Sequence, residues 1–578
     1  MPTLALNAIL DIPLILDEIA SSLSQSDLAQ CLLVNSAWNA AFAPLVWKEI
    51  FVANQRIITL FQTSPAVQQG LGRNADHVRF IDSVFCYVFQ SFPIDKPFRN
   101  LVRLETLASE LHNKGIVDHT NTQQLLKFVK VNTSLREIVL SNFPLGSIPT
   151  SRTLGDVLAS HPSLVSVTIN CFRDAELSSI QHVLRGAALA NVEKLSLTCR
   201  SRIVWEDEEM QKVLLDASQP DAEPYQLVPQ GHAASRLVDL TLDANVEQSI
   251  YVTLLPLLRH CPNLERLFVP CFDAEKSMMD LCNILQDCCP KVQHLEGGDH
   301  SANDDDQAML LNACQYLKTY NMSSAQPMGL RSVEALLHHR HSVTLEKLSF
   351  RNCTAIQSRH IQLILTSCPN LRSFDGLNCQ DTHHPRINIQ DMPIHTGPAW
   401  VCKGLVELHI GFTGFTTLPE NVAIQPYIDA IYRQLAVLTE LESLYVGGEV
   451  SLIGVFLSHS RVWAFDFTLD SGLGQLATLR RLRTLNIRKL RHHRIGSEEA
   501  QWMVHHWPKL KDFYGPPEAP GTRNTSRGSN RIANTPSFGA GTGVGSHGGD
   551  RVSGRNEWRG YLQELMRYNP SLTITVAT

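Results

Sequence analysis

The sequence is poor in the features that mark a nucleic-acid, membrane or catalytic protein. Its 50 lysines and arginines are outnumbered by 56 aspartates and glutamates, a net charge of −6, so the basic footprint of a nucleic-acid binder is missing. No uncharged apolar run reaches membrane-spanning length. The apolar stretch around Ile12 has no positive segment ahead of it and is interrupted by Asp11, Pro13, Asp17 and Glu18. That argues against a secretory leader and for a soluble cytoplasmic or nuclear chain. GxSxG, P-loop and HExxH patterns are absent and the carboxylates are dispersed, so no reaction and no cofactor are expected. The 14 cysteines form no paired CxxC at zinc spacing. The best remaining metal cluster, and the most plausible place for an enzymatic pocket, is Cys379, His383, His384 and His395 in one irregular segment.

What the chain has instead is an internal repeat. A unit of the form x-Pro-x-Leu followed by an alternating run recurs: HPSLVSVTI from His161, CPNLERLFV from Cys261, CPKVQHLEG from Cys289, CPNLRSFDG from Cys368, WPKLKDFYG from Trp507 and NPSLTITV from Asn569. Looser copies begin at Thr133, Asn191, Arg236, Tyr316, Thr344, Gly404, Glu440 and Arg481. The step stays near ~27 residues, the upper range of leucine-rich repeats. An LxxLxL strand turns its apolar residues to one side, where only a stacked neighbour can close the core. Helical patterns such as YVTLLPLLRH and HIQLILTS precede several strands, and the proline stops them. The unit is therefore helix, stop, strand. The position holding Cys261, Cys289 and Cys368 holds His161, Trp507 or Asn569 elsewhere, so it asks for a partly buried filler and not a metal ligand.

Residues 12–50 read as three short helices that bury one another. Pro13 suits an opening turn, and Ile12, Ile15, Leu16, Ile19 and Leu23 recur at helical spacing. Ser24 with Asp27 reads as a capping box that starts a second helix carrying Leu28, Cys31, Leu32 and Val34. Trp38, Phe42 and Leu45 lie on a third helix, which Pro44 is expected to end. The order Ile12-Pro13, Ile15-Leu16, Ile19, Leu23, Asp27-Leu28, Val34, Trp38 and Leu45-Val46-Trp47 resembles the F-box family, with Leu14 where an acidic residue is frequent and Asn35 where Cys or Ser is. The repeat resembles the cysteine-containing type of leucine-rich repeat found in F-box proteins, including large families of filamentous fungi. The resemblance implies docking on the Skp adaptor of a cullin-RING ubiquitin ligase, with Pro13, Ile15, Leu16, Leu28, Val34 and Trp38 forming the docking face or the small core behind it.

The expected class is α/β: a small N-terminal helical F-box-like module at 1–50, a helical linker or cap at 51–99, and a leucine-rich-repeat solenoid at 100–515, a curved parallel sheet with helices on its convex side. An irregular insertion falls near 200–234. Residues 516–556, rich in Gly, Ser, Pro, Thr and Asn, read as disordered, and 557–578 read as a terminal helix-strand repeat. A protein substrate of unknown identity would meet the strand residues that face away from the core: Arg266, Phe268, His294, Glu296, Lys347, Asp375, Glu407, His409, Tyr445, Asp512 and Tyr514. The alternative is a leucine-rich-repeat scaffold or inhibitor not coupled to ubiquitination, in which the N-terminal helices would bury their whole apolar face. Acidic runs at Glu206–Glu209 and Asp304–Asp306 read as solvated loops, and the basic run Arg480–Arg494 would put a positive edge beside a strand.

Overall fold

The computed structural model describes residues 12–51, 59–60, 62–85, 97–107, 119–145, 148–171, 177–190, 192–199, 235–244, 250–269, 275–297, 303–322, 328–338, 340–350, 356–376, 386–392, 398–415, 418–419, 422–447, 465, 467–489, 495–515, 566–567 and 573–576. Residues 200–234, 516–556, Cys379, His383, His384 and His395 lie outside the described residues. The chain divides into two compact units, residues 1–302 with 309–317, and 303–308 with 318–578.

In the first unit each short alternating segment becomes one strand, paired in parallel with the next in chain order. They are β1 (Glu49–Phe51), β2 (Phe80–Phe85), β3 (Arg103–Leu107), β4 (Glu137–Ser141), β5 (Ser166–Cys171), β6 (Lys194–Cys199), β7 (Asp239–Ala244), β8 (Arg266–Val269) and β9 (His294–Gly297). The second unit repeats the scheme with β10 (Thr319–Met322), β11 (Lys347–Ser349), β12 (Ser373–Asp375), β13 (Arg386–Asn388), β14 (Glu407–Thr413), β15 (Ser443–Gly447), β16 (Thr484–Lys489), β17 (Asp512–Gly515) and β18 (Thr573–Val576). Here β12 pairs directly with β14, while β13 pairs with the far half of β14. All fourteen repeat copies quoted from the sequence fall on strands, and this helix-strand succession on parallel ladders is the leucine-rich-repeat architecture.

Alternation explains the layering. Along β6 the burial runs exposed, buried, half-buried, buried, and Leu195, Leu197 and Cys199 point inward. The same parity buries Leu240 and Leu242 on β7, Leu408 and Ile410 on β14, and Leu444 and Val446 on β15. The helices between strands bury their own apolar stripe, as Leu254, Leu257 and Leu258 do in Ile250–Leu258, so the core lies between a strand layer and a helix layer.

Two contacts fix how closely repeats stack. Helices Ile148–Ser160 and Leu177–Leu189 meet at Gly155 and Gly186, where an added Cβ on Gly186 would lie 2.3 Å from the Gly155 carbonyl oxygen and 2.7 Å from its Cα. The position read as filler is fully buried and also donates. Cys289 Sγ donates to Leu258 O at 3.2 Å, Trp507 Nε1 to Leu476 O at 3.0 Å and His161 Nε2 to Val129 O at 3.3 Å, each acceptor lying in the preceding repeat. Cys, Trp and His share the site because all three carry a donor on a largely apolar body, which residue volume alone does not reveal.

Asp304 is a second correction. It is not a solvated loop residue but opens the helix Asp304–Ala313, and its carboxylate accepts from Gly329 N, Arg331 N, Ser332 N and Ser332 Oγ at 2.5 to 3.0 Å. It thereby caps the next helix, Leu330–His338. Burial opposes its charge, but these hydrogen bonds outweigh that and hold the carboxyl below its ordinary 3.8.

Gly186→Ala must push the two helices apart, which costs about 1–3 kcal/mol; the expected result is a lower urea midpoint, with faster amide exchange in both helices. Because the Asp304 pKa is depressed on folding, its stabilisation is full above the ordinary carboxylate range and is lost as pH falls through it. The midpoint gap between wild type and Asp304→Ala should be open at pH 7 and close below about pH 4 in denaturant titrations.

Candidate docking face and strand-face site

The N-terminal helices form as the local signals require. Pro13 occupies the first turn of α1 (Pro13–Ser22). Ser24 and Asp27 make the full capping box of α2 (Gln25–Cys31). Asn35 caps α3 (Ser36–Val46), its Oδ1 accepting from Trp38 N at 2.9 Å. Contrary to expectation, α3 runs through Pro44 and closes with Trp47 N on Ala43 O. Pro44 falls in the last turn, where the lost N–H and the ring disturb only the end of the helix.

These helices are too short to bury all their apolar groups. Leu28 and Phe42 are the buried centre, 6% and 1% exposed. Trp38 is half-buried with its ring 5.3 Å from Phe42, and Leu16 is also half-buried. Leu14, Leu33 and Val34 are 81%, 78% and 57% exposed, and Ile12 and Ile15 are also open. Among the residues singled out from sequence, Leu28 thus lies inside while Ile15 and Val34 face outward. The second helix stops at Cys31, short of the expected Leu32 and Val34, so Leu33 and Val34 stand in the turn before α3; Leu14 was missed because helical spacing marks a stripe without saying which side of it finds cover.

On the strand face, register decides which residues meet. In the first unit Arg266 Nε lies 3.5 Å from Asp239 and its Nη1 3.5 Å from Glu296. Phe268 stands opposite Glu296, and His294 opposite Arg266. Burial raises the Asp239 pKa, with Arg266 and Lys194 pulling the other way. A second cluster escaped the sequence reading: Arg103 sits beside Glu105 (2.7 Å), Asp82 (3.7 Å) and Glu137 (3.9 Å). Its strand carries buried Thr106 where the third leucine of LxxLxL belongs, which hides the repeat.

In the second unit β12, β14 and β15 bring Asp375, Glu407, His409 and Tyr445 together. His409 Nδ1 is 3.1 Å from Asp375, its Nε2 3.2 Å from Glu407, and its ring 5.1 Å from that of Tyr445. Ser373 Oγ donates to Glu407 at 2.8 Å. Burial lowers the imidazole pKa, but the two carboxylates more than reverse this and raise it to about 9; His409 holds Glu407 below its ordinary value in turn. Asp375 faces away from the core yet is 5% exposed, covered by these neighbours. Lys347 is exposed opposite Ser373, Thr484 donates to Asp512 at 3.5 Å, and Tyr514 is half-buried opposite Asn486. The residues chosen from sequence therefore form local clusters around Arg266 and His409, with Lys347, Asp512 and Tyr514 apart from them.

No group of three or more His, Cys, Asp or Glu is placed to hold a metal among the described residues, and no described helix is long and apolar enough to cross a membrane. Buried thiols are poor nucleophiles here: burial pushes Cys261 up to about 12 and raises Cys289 as well.

No family model matches the sequence, and no curated protein matches it. Among solved structures, a TLR13–ssRNA13 complex aligns at 12% identity and TM-score 0.36, over 76% of this chain and 56% of that one, so this chain spans little more than half of it. A Rad7 and Elc1 complex from yeast aligns at 12% identity and TM-score 0.36, over 83% of this chain and 90% of that one.

The His409 pKa is raised on folding, so its stabilisation is complete below about pH 6.5 and is lost as pH rises through about 9. Asp375→Asn should bring the imidazole titration down toward its ordinary range and flatten this loss, as read by NMR titration of the ring protons.

Proposed function

We propose that this chain is the substrate-recognition subunit of a Skp-cullin-F-box ubiquitin ligase. In this reading α1–α3 dock the Skp adaptor and the strand face of the repeats holds a protein substrate. The observation that carries it is the unburied apolar set of Leu14 and Ile15 on α1 and Leu33 and Val34 in the turn between α2 and α3. A repeat scaffold using those helices only as a cap would bury them, because open leucines lose about 25 cal/mol of stabilisation per Å² left in water. F-box-like sequence order supplies the partner chemistry.

The chain then acts as an adaptor and not as an enzyme, in the cytoplasm or nucleus where that ligase works. It raises the local concentration of substrate lysine near a conjugating enzyme, a gain in effective molarity that needs no side-chain chemistry of its own. The strand face suits the second task. In the first unit it presents Arg266 and Glu296 with Phe268 beside them, and in the second unit Glu407 and His409 with Tyr445, each group paired across neighbouring strands.

Co-purification with the Skp adaptor tests the reading. A Leu14→Ser, Leu33→Ser, Val34→Ser variant should lose capture with an unchanged thermal melt, whereas Leu28→Ala should lower the melt by a core cost of about 2–5 kcal/mol. Absence of capture by the folded wild-type chain would remove the adaptor role.

A further inference from the structure

Along β5 and β6 every second side chain is buried, and the last inward position of each strand is a cysteine, Cys171 on one and Cys199 on the other. The two strands pair in parallel, and their register sets Cys171 directly opposite Cys199. Both thiols are free and 2% exposed, on the core side of neighbouring strands. Adjacent strands stand about 4.8 Å apart, inside the roughly 4.4–6.8 Å between Cα atoms that a disulfide spans. The sulfurs are already in contact, since the Cys171 thiol donates a hydrogen bond to Cys199. Cys261 and Cys289 also hold equivalent places in successive repeats, but each stands ahead of its strand and gives its proton to a helix carbonyl, Leu257 O and Leu258 O. The strand pair lies where the ladder ends. β4 follows β5 only as far as Ser141 opposite Asn170, and Asn142 then leaves the extended conformation at φ 57°. On the other side Ala244 takes the register opposite Cys199, which confines the thiol pair to two strands.

We propose that Cys171 and Cys199 form a redox modification site, a dithiol that closes to a disulfide across β5 and β6 when it meets a small-molecule disulfide. The inference is independent of the adaptor reading. Cys171 is held as a thiol, its pKa raised by the hydrogen bond to Cys199 and by burial, so Cys199 is the sulfur that attacks first. It loses its proton and attacks one sulfur of the small disulfide, giving a mixed disulfide and expelling one small thiol. Cys171 then gives up its proton and attacks the Cys199 sulfur, which forms the internal S–S bond and expels the second small thiol. Two electrons and two protons thus pass from the pair to the oxidant, whose own S–S bond is broken. Burial slows the first attack, but a strand end opens at small cost compared with a strand centre. The bond closes a loop of one repeat, so it removes freedom from the unfolded chain and pins the ends of two strands. Such a pair suits a compartment where disulfides are transient and report oxidation.

The test equilibrates the intact chain with mixtures of reduced and oxidised glutathione, alkylates the remaining thiols and maps the peptides by mass spectrometry. The expected product is a peptide pair joined through Cys171 and Cys199, formed before any other cysteine pair and reversed by dithiothreitol. Amide exchange in β5 and β6 should slow at least about tenfold in the oxidised chain. Cys171→Ala should leave Cys199 as a glutathione adduct with no internal link, its fold checked by circular dichroism. The wild-type peptide map decides the matter even where that variant fails to fold. Absence of the joined peptides from folded wild type at every glutathione ratio, a stable glutathione adduct on Cys199 of wild type, or earlier closure of another pair such as Cys261 with Cys289 overturns the proposal.

Discussion

Within each unit, a backbone carbonyl at most of the described strand entries accepts twice and holds consecutive repeats together. Val102 O accepts from Arg136 N and Glu137 N, Arg136 O from Val165 N and Ser166 N, and Val165 O from Glu193 N and Lys194 N, at 2.8 to 3.0 Å. The second unit repeats the device, with Arg372 O taking Val406 N and Glu407 N, and Val406 O taking Glu442 N and Ser443 N. A carbonyl has two lone pairs, and using both at each entry sets the register of every strand that follows. Register in turn decides whether leucines face the core or water, since a slip of one residue inverts the face. Burial of Leu195, Leu240 and Leu267 on three successive strands is the consequence.

The same constraint governs the helix layer. Repeats held at strand spacing bring helix ends close, and carbonyls there need donors that cannot come from solvent. Cys289, His161 and Trp507 supply them from the following repeat, Asn132 caps its own helix through Phe128 O at 2.6 Å, and Asp304 serves the N-terminal end of its neighbour. Where two helices approach most closely, glycines at 155 and 186 remove the side chains that would hold them apart. Stacking order and polar satisfaction are thus one problem, solved with different residue types in different repeats.

Each unit's ladder leaves one side of its strands uncovered by helices. Outward strand positions carry charge in clusters, each centred on one cation, Arg103, Arg266 or His409, held by carboxylates from adjacent strands. Such clusters are ordered before a partner arrives, so less side-chain entropy is lost on binding. The N-terminal helices are uncovered in another sense, with a minimal core of Leu28 and Phe42 and an apolar exterior.

Much of this was legible in the sequence. LxxLxL at regular steps named the strands, Ser24 with Asp27 placed a helix start, and strand parity chose the outward residues, because these signals act within a few neighbours. Sequence left open which repeat closes on which, so β1 and β2 went unseen in segments read as a helical module and a helical linker, and β3, with Thr106 in a leucine position, was not picked out as a copy within 100–515. Nor did it show that Cys289 and Trp507 donate hydrogen bonds, that Asp304 caps a helix ~25 residues away, or that Asp375 and Glu407 flank His409 and raise its pKa. Those facts depend on distances between repeats. The chain by itself determined the repeating unit and its inward face; only stacking decided which polar groups meet, because partners a whole repeat apart come within hydrogen-bond reach only after the ladder has closed.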